Sequence, residues 1–133
     1  VIFVEAQPKT RMPEFCNAAD VCIAILKKLD SFITTYPNKI FDYMACGRPT
    51  ILAIDGVARE VIEKAKAGEF VEPENPQELA NTVLKFYNNR DLIEKYGKNA
   101  RKYVVEHFDR EKIAEELNLS LNKVAKSSRR DER

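Results

Sequence analysis

The spacing of apolar and polar residues changes period several times along this chain, and each change marks an expected element. Val1-Ile2-Phe3-Val4-Glu5 reads as a short buried strand, followed by a polar turn through Gln7-Pro8-Lys9. Met12-Pro13-Glu14-Phe15 opens a helix with Pro13 at a tolerated first-turn position, and Phe15, Ala18 and Ala19 are expected inward. Val21 to Leu26 is apolar at every position, the pattern of a central parallel strand covered by helices on both faces. Residues 27–37 form a polar, irregular connection, long for such a unit and placed where open sheets carry function.

A helix is expected from Lys39 to Cys46, capped by Asn38, stopped by Gly47 and kept from continuing by Pro49. Thr50 to Ile54 reads as a strand, and Asp55-Gly56 turns the chain into a helix from Val57 to Ala67. Val61, Ile62 and Ala65 lie on its inner side and Gly68 ends it. Phe70-Val71 is a short strand. Asn75-Pro76-Gln77-Glu78 is a helix start with a cap, a first-position proline and a capping-box glutamate. Leu79, Val83, Leu84 and Phe86-Tyr87 supply that helix's apolar face. Another helical stretch runs from Asp91 past a weak point at Gly97. Asp109 caps a last helix, in which Ile113, Leu117, Leu121 and Val124 recur at helical spacing. Strands alternating with helices, then helices alone, predict an open, mostly parallel α/β sheet with a C-terminal helical extension.

Composition narrows this little. The 133 residues are 44% hydrophobic and 32% charged with a formal net charge of +1, an ordinary globular balance without the basic excess of a nucleic-acid binder. Most of the imbalance falls in the tail from Lys126 to Arg133, where four basic residues face two acidic ones, and a solvated, frayed end is expected there. No apolar run is long enough to span a bilayer, and the first residues lack a signal-peptide pattern. Cys16, Cys22 and Cys46 have no metal-ligand spacing and read as buried reduced thiols of a cytoplasmic protein. Starting on a strand without an initiator methionine suggests a piece of a longer protein.

Among candidate chemical groups, His107 reads as a helix-end dipole partner or packing residue rather than a base, since no nucleophile is placed beside it. Phe86, Tyr87, Tyr96 and Tyr103 read as core residues, and no glycine-rich phosphate loop is present. Two places remain. Asp42, in the first turns of its helix, either complements the helix dipole or accepts hydrogen bonds from a diol such as ribose. The loop Asp55-Gly56-Val57-Ala58-Arg59-Glu60 is either a plain turn or faces the same crevice at the sheet's carboxyl end.

At these residues the chain resembles a known family. Tyr36-Pro37-Asn38-Lys39-Ile40-Phe41-Asp42-Tyr43-Met44-Ala45-Cys46-Gly47-Arg48-Pro49 is similar to the donor-binding region of retaining GT-B-fold glycosyltransferases, the glycosyl transferases group 1 that assemble polysaccharides and lipid-linked sugars. Met12 to Phe15 with Ala18-Ala19-Asp20, Gly68 to Val71, Asn75 to Ala80 and Tyr103 to Phe108 follow in the family's order, so the likeness extends to about residue 120.

The resemblance implies a partial Rossmann-like doubly wound parallel sheet, the C-terminal half of a GT-B domain. It would comprise residues 1–108, followed by a C-terminal helix over 109–126 and a disordered tail over 127–133. It implies a nucleotide-diphosphate sugar as donor, with Asp42 at the position of the acid that holds the ribose. Thr34 stands where the family's first acid, eight positions earlier, faces the sugar. Thr35, Asn38, Lys39 and Ile40 match the turn whose backbone amides face the diphosphate, and Glu60 matches a glutamate of the next loop. No catalytic residue is assigned, and neither a cofactor nor a metal is implied.

The strands and basic loop that would precede Val1, and the acceptor domain, are not among these residues. The chain alone is therefore expected to be inactive and to bind donor weakly or not at all. An exposed sheet edge is expected to favour a homodimer, and membrane association is expected only through the parent protein. The alternatives are a non-catalytic GT-B-like binding or interaction module, and a nucleotide-sugar epimerase-like protein of the same fold.

Overall fold

The computed structural model describes residues 1–131, with side chains described through Val124. Three parallel strands, β1 (Cys22–Ile25), β2 (Thr50–Ala53) and β3 (Gly68–Phe70), pair in chain order. Cys22 is opposite Thr50 and Ile25 opposite Ala53, while Thr50 is opposite Gly68 and Leu52 opposite Phe70. Helices α1 (Met12–Ala18), α2 (Asn38–Ala45) and α3 (Val57–Ala65) lead into or link the strands. Helices α4 (Pro76–Asn88), α5 (Arg90–His107) and α6 (Arg110–Asp131) follow them. The α/β architecture with a parallel sheet and a helical C-terminal extension is the one expected.

The core lies mainly between the sheet and one helical layer. Ala24, Leu52 and Ile54 meet Ile40 and Met44 of α2, Ala58 and Ile62 of α3, and Ala100 and Val104 of α5. On the opposite face a smaller cluster joins Ile51, Ala53 and Val71 to Phe86 of α4. Local chemistry explains the best-formed boundaries. Asn75 Oδ1 accepts from Glu78 N at 3.1 Å, and Glu78 Oε2 accepts from Asn75 Nδ2 and Glu72 N at 3.1 and 3.0 Å. The bond to Glu78 N satisfies a donor that the start of α4 leaves unpaired, and the other two tie the preceding turn to the helix. At the end of α2, Gly47 has a φ of 65°. Its N–H donates to Met44 O and that of Arg48 donates to Tyr43 O, at 2.9 and 3.0 Å, the paired bonds of a Schellman stop.

Several expectations are corrected. Val1 to Glu5 is not a strand: Val1, Ile2 and Phe3 are at least 90% exposed, because no neighbouring strand is there to pair with them. In α1 the buried residue is Cys16, while Phe15 and Ala18 are exposed. β1 is covered on one face only, with Ile23 and Ile25 exposed. Helix α3 ends at Lys66, which takes the left-handed conformation at φ 48°, and Gly68 instead begins β3. Along α4, Phe86 is buried and Leu79 partly so, but Val83, Leu84 and Tyr87 face outward. The apolar stripe Ile113, Leu117, Leu121 and Val124 of α6 is exposed. Helix α6 also runs past the boundary of 126 to Asp131, so the tail expected to be disordered has helical backbone that far, and its last two residues lie outside the described ones.

Candidate functional site

The long connection after β1 and the loop after β2 meet at the carboxyl end of the sheet, where open α/β folds hold ligands. The first loop makes a 3-10 turn over Asp30–Phe32 and then folds back, with Thr35 N donating to Phe32 O and Thr35 Oγ1 to Ser31 O at 3.2 and 3.0 Å. The second loop is held to it by Val57 N, which donates to Ile33 O at 2.9 Å. Gly56, at φ 83°, makes this approach feasible: a Cβ there would sit 2.0 Å from Ile33 O, so any side chain would push the loops apart. Asp55 Oδ1 accepts from Gly56 N at 2.8 Å and lies 3.6 Å from Arg59 Nη1. The Arg59 guanidinium in turn rests 4.0 Å above the Phe70 ring. The two loops form one braced unit.

Thr34, Thr35, Asn38 and Lys39 are exposed along the rim of this unit. Helix α2 begins at Asn38 itself, one residue earlier than expected, so Pro37 rather than Asn38 holds the cap position and no side chain caps the helix there. Ile40 belongs to the core rather than to a ligand surface: its side chain is fully buried and its N–H donates to Pro37 O at 3.1 Å. Two residues of the expected anion turn, Asn38 and Lys39, therefore remain at the helix start. Asp42, one turn further along, is partly buried. It lines a cavity of about 170 Å³ between α1 and α2, together with Lys9, Met12, Pro13, Cys16 and Cys46. Glu60 is exposed on α3 and its Oε2 pairs with Lys64 Nζ at 3.1 Å.

Rings distant in sequence support this wall. Tyr36 stacks toward Phe41 at 6.1 Å, Phe41 meets Phe108 at 4.7 Å, and Phe108 meets Tyr103 at 6.1 Å. His107 packs on Tyr103 at 4.4 Å in the last turn of α5, a packing role in line with its reading from sequence. Sequence reasoning missed this aromatic line, whose only local signal was Tyr36 and Phe41 flanking the helix start. At the start of β1, burial pushes the Cys22 thiol up to about 12, with Cys16 adding to the shift. Burial raises Cys16 as well, so both stay protonated. Among the described residues, no cluster of three His, Cys, Asp or Glu side chains is placed to hold a metal, and no helix is long and apolar enough to cross a membrane.

A parallel sheet with a braced loop pair and a helix start at its carboxyl end is an open α/β arrangement. Residues 1–103 match the family model of glycosyl transferases group 1, and the chain belongs to that family. An uncharacterized glycosyltransferase of Methanocaldococcus jannaschii is 27% identical over 100 residues, spanning 71% of this chain and 26% of that protein. Sucrose-phosphate synthase from Thermosynechococcus elongatus superposes with a TM-score of 0.80 at 24% identity, over 96% of this chain and 31% of that one. Anabaena HepE, solved in complex with UDP, superposes with a TM-score of 0.72 at 23% identity, over 86% and 30%. The fold is thus part of a GT-B glycosyltransferase. The chain spans about a quarter of the curated relative's length and under a third of each solved neighbour.

Proposed function

We propose that these residues form the donor-binding wall of a glycosyltransferase that, as a whole protein, moves a sugar from a nucleotide-diphosphate sugar to an acceptor. The observation that carries this reading is Asp42, a carboxylate held in a small cavity between α1 and α2, one turn into a helix that starts at the sheet's carboxyl end. A fixed carboxylate there accepts two hydroxyl donors of a ribose, while the helix start and Lys39 favour the negatively charged diphosphate. HepE was solved with UDP, which supports a nucleotide-sugar donor for a chain of the same fold. Sugar transfer belongs to the whole protein in this reading, because the described residues supply donor contacts and Thr34 offers no carboxylate toward the sugar.

The test is calorimetric titration of the intact parent with nucleotide-diphosphate sugars. Asp42→Ala is expected to weaken donor binding by about tenfold or more, the value of a lost hydrogen-bond pair to a charged group. Unchanged affinity overturns the ribose assignment. A second reading, a binding module that keeps the fold without chemistry, is favoured by Thr34 and by the engagement of Glu60 with Lys64. It is the outcome if the parent binds no nucleotide sugar at all.

A further inference from the structure

Away from the donor loops, at the end of the sheet where β2 begins, the turn after α2 and the flank of α5 enclose a cleft of about 610 Å³. Its walls carry Arg48, Arg90, Lys98, Arg101 and Lys102 against a single carboxylate, Glu94. The chain as a whole has a formal net charge of only +1, so this hollow gathers positive charge that the rest of the surface offsets. Gly47 and Gly97, whose backbones touch, lie in its lining and leave it open.

Part of this charge has structural work. Arg90 Nη2 pairs with Asp20 Oδ1 at 2.7 Å, and Lys98 Nζ pairs with Glu94 Oε1 at 2.5 Å. Arg101 donates to Ala45 O at the end of α2, and Arg48 Nη2 donates to Asn17 O at 2.9 Å. Asp20 and Glu94 neutralise two of the five cations, leaving three. Lys102 forms no ion pair among the described residues. Arg48 Nε is buried and finds no acceptor among them, an orphan donor that an ordered water or an anion would satisfy.

We propose that this cleft is a second anion site, separate from the Asp42 cavity, for a diphosphate or phosphate-ester group presented free or on a lipid headgroup. The guanidinium groups of Arg48 and Arg101 and the ammonium group of Lys102 match the oxygens of such a group, fork-like from arginine and point-like from lysine. The lining holds no aromatic ring on which a base could stack, which favours a compact anion over a nucleic acid. This site does not depend on the donor reading.

The experiment titrates the full chain with inorganic pyrophosphate at low ionic strength, following backbone amide shifts. In a parallel arm the chain is floated with phosphatidylcholine vesicles with and without phosphatidylglycerol. Saturable shifts at Gly47, Arg48 and residues 97–102 are expected, weakened about tenfold or more in a Lys98→Glu/Lys102→Glu double variant. Both lysines are exposed, so the variant should fold, and its circular dichroism verifies this. Asp42→Ala should leave the shifts unchanged, which separates this site from the donor site. Pyrophosphate binding alone identifies a soluble phosphate source, and binding to anionic vesicles as well identifies a headgroup. No saturable pyrophosphate shift, vesicle binding without one, or shifts indifferent to the double variant would each overturn the proposal.

Discussion

On one face of the sheet, α2, α3 and α5 close over Ala24, Leu52 and Ile54. On the other, α4 covers β2 and Val71 and leaves β1 bare. A single strand shows the difference. Cys22 and Ala24 are 7% and 0% exposed, while their neighbours Ile23 and Ile25 are 42% and 55% exposed. Side chains alternate across a strand, so each residue reports the completeness of one layer. Two apolar hollows flank the bare side, one of about 520 Å³ beside Ile25 and Leu79, the other of about 340 Å³ beside Ile23 and Tyr87. The packed face supports α2 with Asp42 and the loop that carries Ile33. The open face supports nothing among the described residues. The site and the gap in the fold thus lie on opposite sides of one layer.

Paired deletions test that contrast most directly. Ile62→Ala, on the packed face, is expected to lower the free energy of unfolding by about 2–5 kcal/mol. Ile23→Ala removes the same atoms from the bare face and should cost about 1 kcal/mol, because Ile23 stays 42% exposed and leaves no closed cavity. Equal losses by urea denaturation would mean that the bare face is covered in solution. The next effect concerns the homodimer expected from the free edge of β1. Sedimentation equilibrium should show concentration-dependent association that Ile25→Lys abolishes, with monomer stability changed by no more than about 0.5 kcal/mol. A monomer at every concentration removes the homodimer.

The smallest effect is a pH dependence confined to the packed face. An unfolded Cys22 thiol ionises near its ordinary 9.0, whereas burial holds the folded one protonated up to about 12. Above 9.0 the unfolded state therefore binds fewer protons than the folded state, so stability is level below that value and falls as pH rises toward about 12. Cys22→Ala should flatten that fall. Urea midpoints that show the same decline in the variant would assign it to other groups.

Where chemistry is local, the fold was legible in the residues. Asn75, Pro76 and Glu78 announce the start of α4, and Gly47 with Pro49 announces the end of α2, because caps and stops are decided within a few residues. Val1 to Glu5 was misread because a strand exists only with a neighbour, and the run's apolar pattern cannot say whether one is present. The continuous apolar run of β1 likewise reads as buried on both faces whether or not both layers are there. Lys66 took the helix stop expected of Gly68, a choice settled by the register of β3. Of the site, the position of Asp42 was legible through the resemblance. Its cavity was not, since Met12, Pro13 and Cys16 reach it from about thirty residues away. Nor was the brace between Ile33 and Val57, a main-chain contact that no side chain advertises.

The dependence of α2 on α5 has a consequence for how the protein is made. Ile40 and Met44 share their core with Ala100 and Val104, and Phe41 rests against Phe108. A polypeptide leaves the ribosome from its N-terminus. The start of α2, with Asn38 and Lys39, thus emerges long before the helix that backs it, and waits through more than fifty residues of synthesis for its support. During that interval the strands, paired in chain order, are able to zip together while α2 lacks the helix that backs it. The start of α2 is therefore backed only once α5 has been made.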